Sequence, residues 1–207
     1  MSDTEQHIFG YGSLINTECR ATTSPNALYA SPVNVAGIRR GWFGRLDDVG
    51  PTYLAAVPDA NSNCNGVIFK VSAEELTAFD EFETGYNREL IDPKSVTMLD
   101  DSKPVEGDIW FYTGRAKCFA SPESPILQSY VDVCLNGCLE IEARFPLAKQ
   151  ADFARTFLKT STDWNQHWLN DRISPPLLFP QRTNVTRIDE LIREVLGDEM
   201  CANRERK

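Results

Sequence analysis

GVIFKVSAEELTAFDEFETGYNREL, residues 66–90, decides the fold. Gly66 opens an apolar run to Val71, rich in β-branched and aromatic side chains, which reads as a strand. Ser72 then precedes Ala-Glu-Glu-Leu, and Glu75 stands three residues on. A serine hydroxyl and a glutamate carboxylate at that spacing each accept an N–H at a helix start, forming a capping box. The pattern predicts a helix over 73–83, stopped by Gly85, and a strand over 87–99.

Outward from this unit, residues 7–10, 33–38, 53–57 and 105–113 read as strands. Helical patterns cover 125–142, 146–170 and 185–196, with Pro175-Pro176 as a break. Strands thus concentrate before residue 114 and helices after it. That segregation predicts an α+β fold, a small mixed or mostly antiparallel sheet or β-barrel with helices outside. The expected organisation is a core domain over 1–144 and a helical C-terminal extension over 145–207 packed on it. An extension of about 60 residues would be marginal alone.

The 207 residues, 42% hydrophobic and 25% charged, suffice for one sizeable core. No stretch approaches the roughly 20 apolar residues of a membrane span. MSDTEQH at the start lacks the basic and apolar regions of a signal peptide. A soluble, cytoplasmic protein is expected. A net charge of −9 argues against nucleic-acid binding through a basic face. The six cysteines form no C-x-x-C pair, and the two histidines, His7 and His167, lie far apart, so no metal site and no cofactor is expected. Cys134 and Cys138, four apart in an apolar segment, read as helix packing rather than a redox pair.

One carboxylate faces the wrong way for a surface residue. At about 100° per residue from Leu76, Phe79 falls near 300°, Phe82 near 240° and Glu83 near 340°. Glu83 therefore sits inside the apolar stripe, while Glu74 and Glu81 fall at about 160° and 140°, on the opposite side. Burial raises a carboxyl pKa and suits it to acid–base chemistry near neutrality. The alternative is a helix-end Glu that turns outward or pairs with Arg88, and periodicity leaves the two open. Tyr86 and Arg88 are candidates to orient Glu83 or contact substrate.

A second feature lies in HIFGYGSLIN, residues 7–16, where an apolar run breaks into Gly-Tyr-Gly-Ser. It is not a Walker loop, since no G-K-[ST] follows, and the third glycine of G-x-G-x-x-G is missing. Taken alone it reads as an ordinary turn. The functional alternative is that the N–H groups of Gly12, Ser13 and Leu14 hold a carboxylate or an oxyanion, with hydroxyls from Tyr11 and Ser13 beside them.

FGYGSL, FDEFETGYNRE and the later SYVDVCLNG together resemble the gamma-glutamylcyclotransferase-like superfamily, which includes gamma-glutamylcyclotransferases, ChaC-type enzymes and AIG2-like proteins. The family's Y-G-[ST]-x loop matches Tyr11, Gly12, Ser13 and Leu14. In its L-D-x-x-E helix end, Phe79 replaces the leucine while Asp80 and Glu83 match; Tyr86 and Arg88 follow at slightly different spacing. Ser129, Tyr130 and Gly137 match the third segment. The resemblance spans about residues 7–140 and implies a small β-barrel with surrounding helices.

It also implies a cofactor-independent cyclisation. The α-amine of a gamma-glutamyl group attacks its own δ-carbonyl, releasing an amine and 5-oxoproline. Glu83 is implied as the general base and acid, residues 12–14 as the anion cradle, and Tyr130 as a further donor. The implied partner is a small gamma-glutamyl amine, amino acid or peptide, with no nucleic acid and no membrane, on a monomer or homodimer. The competing readings are a non-catalytic small-molecule-binding module and an interaction protein on the same fold. Residues beyond 145 stay unassigned, as does GIRRGWFGR (37–45), where Arg40 reads either as a surface turn residue or as a contact for an anionic group. Trp164 and Trp168, four apart, read as a packing ridge.

Overall fold

The computed structural model describes residues 4–25, 27–45, 50–83, 85–114, 118–176 and 183–205. Strand β1 (Gln6–Gly10) leads through a 3-10 turn (Ser13–Ile15) into helix α1 (Thr17–Thr23). Two long strands follow, β2 (Ser31–Gly44) and β3 (Tyr53–Val71), then helix α2 (Ala73–Phe82) and strands β4 (Tyr86–Ile91), β5 (Val96–Met98) and β6 (Asp108–Gly114). The second half holds β7 (Ile126–Leu127), α3 (Gln128–Arg144), α4 (Pro146–Gln150), α5 (Phe153–Thr160), β8 (Ser161–Thr162), β9 (Trp168–Leu169), α6 (Val185–Leu196) and α7 (Asp198–Glu205). This is the α+β architecture that the segregation of strand and helix patterns indicates.

The main sheet runs β4-β6-β1-β3-β2-β5, with β8 added beside β2. It is mixed, because β1 is antiparallel to β3 but parallel to β6. Its curl comes from β3. Ile38 pairs with Pro58 and Ala36 with Asn63, so five steps along β3 (58 to 63) face two along β2 (36 to 38). Such a bulge bends the strand and increases its twist. The sheet curls without closing: among the described residues the edge strands β4 and β5 do not pair with each other. The curl positions the site. β1 stops at Gly10, while its neighbours β3 and β6 continue and meet at Ala56–Thr113. The chain leaving β1 turns off beside that junction.

Several boundaries differ from the sequence reading. The segment 37–45 is the second half of β2 rather than a turn, and 53–57 and 66–71 belong to one continuous β3. The strand expected over 87–99 breaks at Asp92-Pro93, where a 3-10 turn begins. The helix expected over 146–170 is two short helices parted at Asp152, whose φ of 54° takes it out of helical geometry, followed by β8 and β9.

One hydrophobic core runs from Ile8, Phe9, Trp42 and Phe43 of the sheet through Val131 and Leu135 of α3 to Phe153, Phe157, Ile188 and Leu191. Trp42, Trp164 and Trp168 form a row, with ring centroids 4.8 and 5.1 Å apart. Cys134 and Cys138 are free thiols buried in α3, and burial pushes both well above the ordinary thiol range. Among the described residues no helix is long and apolar enough to cross a membrane.

Arg40 is neither a surface residue nor a ligand for an anion. It is fully buried, with neutral acceptors around its guanidinium. It donates to the carbonyls of Tyr11 (3.0 Å), Asn65 (2.7 Å) and Phe157 (2.9 Å). The side chains of Asn65 (3.0 Å), Thr160 (2.9 Å) and Ser161 (2.8 Å) accept as well. Its guanidinium carbon lies 4.0 Å from the Phe157 ring centroid. One cation thus ties β2 to β3, to the chain leaving β1 and to the C-terminal helices.

Candidate active site

The chain leaving β1, the end of α2 and the start of α3 converge on one cavity of about 180 Å³, which α1, β3, β4 and β6 also border. Tyr11, Gly12, Ser13, Leu14, Glu83, Tyr86 and Tyr130 all line it.

The two glycines have separate steric reasons. A Cβ at Gly10 would stand 2.7 Å from the Leu14 Cβ, and one at Gly12 would stand 3.0 Å from the Tyr130 hydroxyl. The chain folds back over the strand end and lies against Tyr130, an approach that side chains at those positions would obstruct. Its carbonyls are then taken up one by one. Arg40 binds the Tyr11 carbonyl at 3.0 Å, and the N–H groups of Ile15 and Asn16 donate to Gly12 (3.0 Å) and Ser13 (2.9 Å). Buried Arg20 holds the carbonyls of Leu14 (2.8 Å) and Ile15 (2.6 Å). Among the described residues nothing accepts from the Gly12 N–H, and no side chain caps the turn at Ser13. The first N–H groups of such a turn have no acceptor within it.

Helix α3 locks the loop from its other side. A Cβ at Gly137 would lie 2.5 Å from the Asn16 nitrogen, so only glycine admits this packing. Asn16 in turn donates to Glu140 at 2.9 Å and caps α1 by accepting from the Cys19 N–H at 3.1 Å.

Glu83 arrives as the wheel directs. The capping box forms, with the Ser72 hydroxyl 3.1 Å from the Glu75 nitrogen and the Glu75 carboxylate 2.8 Å from the Ser72 nitrogen. Leu76 and Phe79 are buried, whereas Glu74 and Glu81 are exposed. The helix ends at Phe82, so Glu83 is its C-cap; its N–H donates to Phe79 (2.8 Å) and its carbonyl accepts from the Tyr86 N–H (3.0 Å). Gly85 follows at φ 96°, the left-handed region expected of the glycine that stops a helix. The Glu83 carboxylate is half-buried on the cavity wall. Burial alone pushes its pKa from 4.5 up to about 7.

Arg88 does not join the site. It pairs with Asp80 at 2.7 Å, lies over the Trp110 ring at 4.6 Å, and does not line the cavity. Instead of the expected contact with Glu83, Arg88 makes this ion pair, which holds the guanidinium against the neighbouring strand. The other Asp80 oxygen accepts from the Tyr112 hydroxyl at 2.9 Å. Tyr112 lines the cavity and was not identified from the sequence; the β4–β6 register that pairs it with Arg88 is not legible locally.

Glu83 therefore sits among four phenols, Tyr11, Tyr86, Tyr112 and Tyr130. Burial is the main reason that each is raised above the ordinary phenol value, and the Glu83 charge adds to it in all four. They remain neutral donors at any physiological pH. Tyr11 donates to the Tyr112 carbonyl at 2.5 Å and Tyr86 to the Leu54 carbonyl at 3.3 Å, as Tyr112 does to Asp80. Tyr53 packs edge-on against Tyr130 at 5.1 Å. The arrangement offers one proton acceptor that switches near neutrality, the Gly12 loop on the same cavity, and phenolic walls. Such a set can deprotonate an amine, stabilise an oxyanion and reprotonate a leaving group.

Comparison with known proteins places these features in a family. The family described as gamma-glutamyl cyclotransferase, AIG2-like matches residues 8–129. No curated protein matches by sequence. Among solved structures, a gamma-glutamyl cyclotransferase superposes with a TM-score of 0.54 at 15% identity, covering 72% of this chain and 86% of its own. An uncharacterized human protein gives 0.54 at 15% identity, with 72% and 88% covered. YkqA from Bacillus subtilis gives 0.51 at 14% identity, covering 73% of this chain and 54% of its own. At these identities the superpositions speak for the fold alone, and the match over 8–129 carries the assignment: the chain belongs to the gamma-glutamyl cyclotransferase, AIG2-like family.

Proposed function

We propose that this chain is a gamma-glutamyl cyclotransferase that converts the gamma-glutamyl group of a small compound to 5-oxoproline and releases the attached amine. The observation that carries this reading is Glu83, a carboxylate raised by burial to about 7 on the wall of the cavity that holds the Gly12 loop. The substrate's own α-amine is the nucleophile, so the enzyme's main task is to fold the glutamyl chain into an attacking conformation. The amine is an ammonium at neutral pH. Glu83 accepts its proton, the freed nitrogen attacks the δ-carbonyl carbon, and a five-membered ring closes. The C–N bond to the leaving amine then breaks as Glu83 returns the proton to that nitrogen, and the second proton of the attacking nitrogen passes to the released amine, which leaves as an ammonium. N–H groups of Gly12, Ser13 and Leu14 serve the glutamyl carboxylate or the oxyanion, and the Tyr130 hydroxyl, beside Gly12, is a further donor.

The test is a panel of gamma-glutamyl compounds read out as 5-oxoproline. Turnover is expected with at least one, and Glu83→Gln should abolish it while leaving the fold intact. Full activity in that variant would remove Glu83 from the role. Thermal stabilisation by gamma-glutamyl compounds without any turnover would favour a binding module instead.

A further inference from the structure

The cavity has two chemically different ends. Glu83 and the Gly12 loop form the inner one. Towards solvent the walls are α1 and the last residue of α2, and burial falls away in order: Leu14 is buried, Cys19 half-buried, Thr22 exposed and Phe82 51% exposed. Cys19 and Thr22, three apart on α1, share one helix face, and Phe82 stands next to Glu83. A leaving group extending from Glu83 towards this side of the cavity lies between them. The two walls are fixed relative to one another. The Ser24 hydroxyl at the end of α1 donates to Glu75 of α2 at 2.5 Å, and Arg20 of α1 lies over Phe69, which packs against Phe79.

This mouth favours uncharged groups. Leu14 and Phe82 supply apolar surface, and Cys19 is a neutral thiol. Burial, with Glu18 and Glu140 adding to it, pushes Cys19 up to about 11. Among the described residues that line the cavity, Glu83 is the one charged side chain, and none is a cation. Arg20 also acts on Cys19, but its guanidinium is buried and committed to the carbonyls of Leu14, Ile15 and Ala27.

Resting on the cyclotransferase reading above, we propose that the leaving amine carries an uncharged apolar group, aromatic or branched, and no carboxylate. An amino acid or peptide leaving group would bring its carboxylate into a cavity whose described lining offers no cation and one carboxylate, Glu83, and would lose hydration there without a partner. An apolar amine instead covers the Phe82 ring, removing it from water, and packs against the Leu14 side chain.

Three probes separate these cases on the full chain, with 5-oxoproline release as the readout. Gamma-glutamyl-phenethylamide and gamma-glutamyl-phenylalanine share a ring and differ by one carboxylate; gamma-glutamyl-methylamide lacks the ring. The phenethylamide should exceed the phenylalanine compound in kcat/KM by about 30-fold and the methylamide by about 10-fold. Phe82→Ser, at an exposed position, should shrink the phenethylamide-to-methylamide ratio by about 5-fold. Equal or better turnover of gamma-glutamyl-phenylalanine overturns the proposal while leaving the cyclotransferase reading standing, as does a ratio unmoved by Phe82→Ser. No release from any gamma-glutamyl compound, glutathione included, overturns that reading itself.

Discussion

Replacing Glu83 with Gln should make the protein more stable as it makes the site inert. The native carboxyl holds its proton up to about pH 7, whereas in the unfolded chain it ionises near 4.5. Between those values the native state binds more protons than the unfolded state, so stability falls as pH rises from about 4.5 to 7 and levels off above. Each pKa unit corresponds to about 1.4 kcal/mol, so the shift has a ceiling of roughly 3 kcal/mol. Glu83 is only half-buried, and solvent reaching it through the cavity brings the expected penalty to about 1–3 kcal/mol. Glutamine keeps the shape and carries no charge, so the variant avoids that penalty at every pH. At about 3 °C per kcal/mol for a chain of this size, its melting temperature at pH 8 should exceed the parent's by roughly 3–9 °C. The assay is thermal or urea unfolding of both proteins at half-unit steps from pH 4.5 to 8.5. The gain must grow through the window and flatten above pH 7. A constant difference, or a less stable variant at pH 8, would refute the burial of an ionisable Glu83.

Three more expectations follow from the same geometry. With Glu83 as base, kcat/KM should rise about tenfold per pH unit below pH 7 and then level, because only the ionised carboxylate accepts a proton; a flat profile from pH 5.5 to 8 would contradict that role. Gly137→Ala puts a methyl 2.5 Å from the Asn16 nitrogen, so α3 or the loop must move: about 1–3 kcal/mol of stability and about 100-fold in kcat/KM should be lost, measured by urea unfolding and initial rates. Arg40→Met should cost about 3–5 kcal/mol in urea unfolding, because six hydrogen-bond acceptors lose their donor inside the core. Arg40→Lys should recover less than half of that, since an ammonium has only three donors.

What was legible in the sequence was local. The Ser72–Glu75 capping box set the phase of α2, and the phase aimed Glu83 inward; both depend on residues within one helix. The glycine pair flagged a close approach, and α3 and Tyr130 supply it. What escaped the sequence reading was set by pairing. Arg39 and Arg40 made 37–45 look like a solvated turn, yet β2 carries straight through because β3 satisfies its backbone and the core takes Arg40. The polar run Asp59–Asn63 hid the continuity of β3, since it forms the bulge that curls the sheet. Arg88 and Tyr112 escape a local reading for one reason: β4–β6 pairing sets them side by side, and both then bind the Asp80 carboxylate of α2.

The family match stops at residue 129, but the molecule has no seam there. Arg40 lies inside the matched stretch, while three of the six atoms accepting its hydrogen bonds belong to Phe157, Thr160 and Ser161, beyond it. A chain cut after residue 144 would leave a charged guanidinium in the core with half its partners gone, gripping the very carbonyl of Tyr11 from which the Gly12 loop departs. The stretch matched by the family is therefore smaller than the stretch that the Arg40 network holds together. The C-terminal helices are thus a condition of the cavity's shape, and grafting the matched segment into another protein would have to carry them along.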